Sequence, residues 1–474
     1  MMVSPKDSSR KHNRRDFLKK CASLAAGPAT LGRIIPAFGG SLLSNRTLEL
    51  SISAERPNFI VIMADDLSAR EFSCYGNTEH HTPNIDKLAE TGVMFKTCWC
   101  TPICSPTRAE IMTGRYGFRT GWYHNNMKPA AGQKGYNLSQ DNLIFAQVLK
   151  NAGYATAICG KWQLRGTETQ YGFDEWCMWR ATEEFDGPIE PPEGNLPGRA
   201  ARYWHPAIVR NGEQMDTDDD DYGPDIFTDF ALNFAARHKD GPFLVYYPMV
   251  LIHKTWDFDN ERMGYVAPPQ LDENGQKTGN KGQPSLKGNV EYMDHLIGRV
   301  AKVLEDMGIR DNTIIMVLGD NGTSGYGKGK TDQEKGPRVP GVVNCPGIVE
   351  AIGPSDAIVD FSDIMATLLD MAGTRLPSGY VIDGHSFAPI LRKESLGLRR
   401  EKQQTREWIF SYLKAARFLR DQRWLLDGNG RFWDCGDLRA EQGYVDVTNS
   451  QDPEVLAARQ RFEQILEELP APTI

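Results

Sequence analysis

The sequence predicts an α/β fold: a large, mostly parallel sheet flanked by helices, with a smaller antiparallel sheet and a helix at the C-terminal end. Three observations carry this. Four short apolar runs lack polar alternation, amphipathic stretches lie between them, and the pattern changes to short strands around a Gly-Asn-Gly turn late in the chain.

The apolar runs are Phe59 to Ala64, Ala155 to Cys159, Phe243 to Tyr247 and Thr313 to Leu318. A strand with one wet face alternates polar and apolar residues, so runs without alternation read as strands buried on both faces. Ile85 to Thr91, Leu143 to Ala152, Ile226 to Arg237 and Val290 to Met307 read as helices. Strands alternating with helices give parallel pairing with right-handed crossovers. After about Gly373 the elements shorten: Trp408 to Leu413, Ala416 to Arg420, Arg423 to Leu426, the turn Gly428 to Gly430, then Phe432 to Cys435. These read as an antiparallel sheet, and Pro453 to Glu468 as a terminal helix. The expected organisation is a catalytic domain over 55–375 and a C-terminal subdomain over 376–474.

The residues just past the strands point to a site. Asp65-Asp66 come after the first, Lys161 after the second, His253 soon after the third, and Asp320-Asn321 close the fourth. Open α/β sheets bind ligands outside the carboxyl ends of their strands, so these groups should meet at one edge.

Composition narrows the function. With 40% hydrophobic and 24% charged residues the chain of 474 can bury a large core. A net charge of -8 without a basic stretch argues against a nucleic-acid partner. Asp216 to Asp221 holds five Asp in six residues and reads as a solvated acidic loop rather than a cation site. Arg14-Arg15-Asp16-Phe17-Leu18-Lys19 precedes a modestly apolar segment, Cys21 to Gly32, too short to span a bilayer. Residues 1–45 therefore look like a twin-arginine export signal with its linker, which makes the export machinery a partner and the mature protein periplasmic or secreted. No other segment approaches 18 uninterrupted apolar residues, so no transmembrane segment is expected in the mature chain.

Eight of nine cysteines lie beyond the signal, and their spacing gives no disulfide connectivity. Cys98-x-Cys100 is too tight for the usual zinc pattern and reads as structural. Cys104-Ser105-Pro106-Thr107-Arg108 opens a helical stretch that Gly114 ends. Pro106 suits a first turn, which leaves Cys104 at the helix N-terminus, where backbone N–H groups favour an anion. An unmodified thiol there is expected to be a low-pKa nucleophile. In isolation, such a motif would read as a Cys that merely caps a helix.

The motif is not isolated. Pro57 to Leu67 (PNFIVIMADDL), Thr82 to Ala89 (TPNIDKLA), Cys104 to Arg108 with Thr113-Gly114-Arg115, Gly160-Lys161-Trp162, Gly319-Asp320-Asn321-Gly322 and Arg338-Val339-Pro340 occur in this order. With these segments, spread over roughly residues 57 to 390, the chain resembles the formylglycine-dependent sulfatases of the alkaline-phosphatase-like superfamily. The resemblance implies oxidation of Cys104 to formylglycine by a maturation enzyme, with Pro106 and Arg108 part of the signal it reads. A hydrated aldehyde offers two hydroxyls: one attacks sulfur, and deprotonation of the other then expels sulfate and restores the aldehyde. The resemblance also implies that Asp65, Asp66, Asp320, Asn321 and the residue made from Cys104 bind a divalent cation. Oxygen donors suit calcium first and magnesium second. Arg108 and Lys161 are the implied electrostatic clamps, and His253 the candidate acid for the leaving alcohol or a sulfate ligand. A second sulfate-binding lysine is expected before Arg338; Lys328 and Lys330 both qualify and spacing does not select between them, with Lys335 third.

One position departs from the pattern. Where the family has Gly-Lys-Trp-His-Leu, this chain has Gln163, which can hydrogen-bond but cannot titrate. Either another group takes the proton, turnover is slowed, or catalysis is lost. The expected function is release of sulfate from a sulfated small molecule or carbohydrate. The alternatives are a phosphate or phosphonate ester hydrolase on the same scaffold, and a sulfated-glycan-binding protein without turnover.

Overall fold

The computed structural model describes residues 56–125, 138–164, 167–179, 202–257, 262–393, 406–438 and 443–470. The export-signal expectation and the linker after it lie outside them.

Among the described residues the large sheet has eleven strands: β1 (Asn58–Ala64), β2 (Val93–Trp99), β3 (Ala155–Lys161), β4 (Glu175–Trp179), β5 (Ile208–Arg210), β6 (Glu213–Gln214), β7 (Phe243–Pro248), β8 (Thr313–Gly319), β9 (Arg338–Val339), β10 (Gly341–Asn344) and β11 (Gly353–Asp360). The centre runs β8-β1-β7-β3-β4, parallel throughout. Antiparallel strands flank it: β10 beside β8, and β5 beside β4. All four strands expected from the apolar runs are in this parallel centre.

β1 shows why the run does not alternate. Phe59, Val61 and Met63 enter one core, and Ile60, Ile62 and Ala64 enter the other. Each large apolar side chain so buried is worth roughly 1.5–3 kcal/mol. The first core also takes α2 (Cys104–Thr113), α3 (Phe145–Asn151) and α6 (Ser362–Met371); the second takes α1 (Pro83–Glu90), α4 (Gly223–Arg237) and α5 (Leu286–Asp306). Helices on both faces are what a parallel sheet needs, because its crossovers put them there.

The small sheet is β12 (Ile409–Leu413), β13 (Ala416–Arg420), β14 (Trp424–Leu426), β15 (Phe432–Asp434) and β16 (Val445–Asp446), paired antiparallel in chain order. Helix α7 (Pro453–Glu467) packs Val455, Ala458 and Phe462 on it. Its start is set by Pro453 and by Asp452, whose carboxylate accepts the Glu454 N–H at 2.8 Å.

One buried group ties this sheet to the loop before β9. The Glu334 carboxylate accepts hydrogen bonds from Trp99 Nε1 at 2.9 Å and Tyr444 Oη at 2.6 Å, and pairs with Arg420 Nη1 at 2.9 Å. Gln333 N–H donates to Asp427 Oδ2 at 3.1 Å beside it. The loop from Gly322 to Pro337 is thereby held at its base.

Candidate active site

β1 and β8 are parallel with Ala64 opposite Gly319, so Asp65-Asp66 and Asp320-Asn321 leave the sheet at the same edge. Asp320 N–H donates to Ala64 O at 2.8 Å and Asp66 N–H to Asp320 Oδ1 at 2.9 Å. Asp66 turns with φ 62°, a left-handed conformation that Asp accepts more readily than most side chains. β3 reaches the edge through a close approach only glycine allows: a Cβ on Gly160 (φ 113°) would lie 2.1 Å from Pro248 O on β7. Lys161 comes next, and its Nζ lies 2.9 and 2.7 Å from the two oxygens of Asp65.

Helix α2 begins at Cys104, as Pro106 requires. One turn on, Arg108 donates to Asp320 Oδ2 at 2.6 Å and to Lys161 O at 3.0 Å, joining the helix to both strand ends. Asp65, Asp66, Cys104 and Asp320 can each place one ligand atom within 4.8 Å of the others. Asn321 adds an amide: its Nδ2 donates to Asp66 Oδ1 at 3.0 Å, while its buried Oδ1 has no hydrogen-bond partner.

Each of the three carboxylates has a cation beside it, Lys161 on Asp65, Lys328 on Asp66 and Arg108 on Asp320, yet their surroundings act on them unequally. Burial would raise Asp65, but Lys161 and the cations around it hold it well below the usual carboxylate range. Burial and the charge of Asp65 raise Asp66, and the same two causes push Asp320 up to about 6. Three buried carboxylates and an unpartnered amide oxygen are the donor set of a hard divalent cation, so these residues fit the metal expected of them.

Two expectations change. The Cys104 thiol is not activated by its helix: it is 1% exposed, and burial, with Asp320 and Asp65 adding to it, pushes the thiol up to about 12 against Lys161 and Lys328. An unmodified Cys104 is a poor nucleophile here because desolvation outweighs the helix terminus. His253 is likewise no ready acid. Burial holds it well below the usual imidazole range. Its Nε2 lies 2.9 Å from Lys328 Nζ and its Nδ1 contacts Lys254 O, so it is a neutral ring accepting from the lysine.

Geometry separates the candidate lysines by their place, and Lys328 is the one that reaches the cluster. Lys328 Nζ is 2.8 Å from the Asp66 carboxylate, whereas Lys330 is exposed and makes none of these contacts; Lys335 pairs with Asp332. Gln163 sits beyond Lys161 with φ 61°, and its Oε1 is buried without a partner.

The family model described as Sulfatase matches residues 57–374, two-thirds of the chain. The chain belongs to the sulfatase family. It is an enzyme of the sulfuric ester hydrolase class. Human arylsulfatase D is 28% identical to this sulfatase over 501 residues, covering 85% of this chain and 80% of its own length. N-acetylglucosamine-6-O-sulfatase of Bacteroides thetaiotaomicron is 27% identical, covering 78% of this chain and 76% of its own. A structure solved in complex with its substrate D-glucosamine-2-N,6-O-disulfate superposes with TM-score 0.64 at 23% identity, covering 88% of this chain and 97% of that one. That likeness establishes the shared fold.

Sequence reasoning missed two groups beside the sulfatase cluster. Asn125 accepts the Ser105 N–H at 2.9 Å, with its Nδ2 4.0 Å from Cys104 Sγ. Arg202 brings Nη1 to 3.6 Å from Asp65 Oδ2. Neither lies in a matching segment, so no signal marked them. The acidic loop stays outside the site: Asp218 and Asp221 bond its own backbone and most of its carboxylates are exposed. Among the described residues Cys74, Cys98, Cys100, Cys104, Cys159, Cys177 and Cys345 are free thiols. Among the described residues no helix is long and apolar enough to cross a membrane.

Proposed function

We propose that this sulfatase releases inorganic sulfate from a sulfated carbohydrate through a formylglycine made from Cys104, with a divalent cation, calcium first, held by Asp65, Asp66, Asp320 and Asn321. The observation that carries the reading is the meeting of Cys104, at the start of α2, with three buried carboxylates whose ligand atoms fit within 4.8 Å. The cation would take oxygen donors from these residues and favour loss of a proton from the neighbouring hydroxyl.

The chain's own residues supply the rest. Asn125 and the start of α2 orient the aldehyde hydrate. Arg108, fixed on Asp320 and Lys161 O, keeps a buried positive charge beside it. Lys161 and Lys328 bind sulfate oxygens as one hydrate hydroxyl bonds to sulfur and the sulfur–alkoxide bond breaks. Burial would lower Lys328, but Asp66 and Asp65 beside it hold it above the usual lysine range, so it keeps its proton and, backed by neutral His253, offers the leaving oxygen a hydrogen bond. The attacking hydroxyl's proton passes through water to the leaving alkoxide, and the other hydroxyl then gives its proton to water as the C=O bond re-forms and the C–O bond to sulfate breaks. Gln163 holds a hydroxyl by hydrogen bonding and carries no proton in this sequence. Because Cys104 is almost fully buried, the maturation enzyme reaches it before the chain folds.

We read residues 55–375 as the catalytic domain, 376–474 as its C-terminal subdomain, and the protein as exported to the periplasm or beyond. The test is peptide mass spectrometry across Cys104, from a host with a maturation enzyme, together with sulfate release from a panel of sulfated sugars and matched phosphate esters. Formylglycine with released sulfate supports the reading. Phosphate release alone would favour the phosphoesterase, and metal-dependent retention of sulfated sugar without product would favour a binding protein.

A further inference from the structure

Lys161 is committed twice over. Two of the three donors of its ammonium face one carboxylate, at 2.9 and 2.7 Å from Asp65. To bind a sulfate fully it must leave Asp65, and where a cation engages one carboxylate oxygen the other is then left buried without a partner, which is costly. Arg108 cannot take its place on Oδ2: its Nη2 is 3.9 Å from the other oxygen and already spent on Asp320 at 2.6 Å. Arg202 stands at the same oxygen that Lys161 holds more closely, 3.6 Å from Asp65 Oδ2.

We propose that Arg202 is a positioning residue of the sulfate pocket, which holds the outer oxygen of Asp65 and so releases Lys161 to the substrate. The inference rests on the sulfatase reading of the site and goes beyond it. Arg202 is built to stay. Its guanidinium lies 4.1 Å over the ring of Trp179, which pairs in register with Lys161 itself. Its backbone is fixed as well: Tyr203 O accepts the Gly223 N–H at 2.6 Å, and a Cβ on Gly223 would meet Arg202 O at 2.3 Å. Tyr203 Oη donates to His253 O at 2.6 Å and Val250 O at 2.9 Å, so the same segment braces the His253 loop. A planar, stacked guanidinium suits a fixed carboxylate clamp, and a compact ammonium on a flexible stem suits a group that turns toward a tetrahedral anion.

The test uses inorganic sulfate as the probe, with its affinity measured by calorimetry on the full chain in saturating calcium. Arg202→Met is expected to weaken sulfate binding roughly tenfold, the size of one charge-assisted hydrogen bond, without weakening calcium binding, because it removes a positive charge from beside Asp65. Arg202→Lys should recover part of the loss. In a Lys161→Met background, Arg202→Met should add nothing, because it acts through Lys161. Unchanged sulfate affinity in Arg202→Met, or the same loss in both backgrounds, overturns the proposal; the second outcome would mean direct contact with the anion. Should Arg202→Met fail to fold, Trp179→Leu, which removes the platform and keeps the cation, is expected to show a smaller loss with the same masking. A wild type that binds sulfate but releases none would sink the catalytic reading while leaving this inference testable.

Discussion

Asp66 and Asp320 at the strand ends, and Glu334 in the loop between β8 and β9, are equally buried, yet their surroundings act in opposite directions. Burial and the neighbouring Asp65 charge raise Asp66 and Asp320. Burial would raise Glu334 too, but Arg420 and Arg338, with hydrogen bonds from Tyr444 and Trp99, hold it below the usual range. The first cluster brings three carboxylates within reach of one another, each with a cation beside it, and leaves Asn321 Oδ1 without a hydrogen-bond partner; the second satisfies its single carboxylate. Crowding of this kind is expected where a ligand completes the site, and saturation where the network is structural.

Mutation should separate the two. Cys104→Ala is expected to have the largest effect, a loss of sulfate release of about 10⁴-fold or more, with unfolding by denaturant little changed; substantial residual release would remove Cys104 from the chemistry. Glu334→Gln should do the reverse first, costing about 3–5 kcal/mol in denaturant unfolding because it leaves Arg420 as a buried unpaired charge. Arg420→Met alone should cost a similar amount, and the double variant less than the sum of the two.

Asp66→Asn sharpens the contrast. Calcium binding should be lost by calorimetry, while stability in chelator holds or rises, since a like charge is removed from beside Asp65. A stability loss as large as that of Glu334→Gln would show that the cluster is structural after all. The smallest effect concerns Asp294, which accepts the Ile85 N–H at 2.8 Å at the start of α1 and is pushed by burial up to about 6. Its folded pKa lies above the unfolded value of 3.8, so its contribution is full below 3.8 and is lost as pH rises through about 6. Wild type should therefore lose stability relative to Asp294→Asn across that window, and parallel pH profiles would show the shift is absent.

Particular elements show what pattern could and could not reveal. The four central strands were legible because burial on both faces leaves a continuous apolar run. β11 (Gly353–Asp360) was not: its first half carries Pro354, Ser355 and Asp356, and only Ile358 and Val359 look like strand core. β2 has an apolar sequence but is interrupted by Lys96, which reaches out to Asp356 at 3.0 Å. Lys328 and Lys330 could not be separated by spacing. Gly329, with φ 70° and its N–H on Pro102 O at 2.7 Å, forms the turn between them, with one lysine in the cluster and the other exposed. Nor could sequence show that burial raises the Cys104 thiol, because a helix terminus is local and desolvation is not.

The sequence by itself determined the α/β class, the sheet edge at which the chemistry gathers, and the residues most able to bind a cation there. Those come from side-chain polarity and from the position of each group after its strand. Only the tertiary structure decided which lysine joins the cluster, that His253 is a neutral acceptor, and that Arg202 stands beside Asp65. These depend on contacts between segments far apart in the chain, whose distances and desolvation no local pattern encodes.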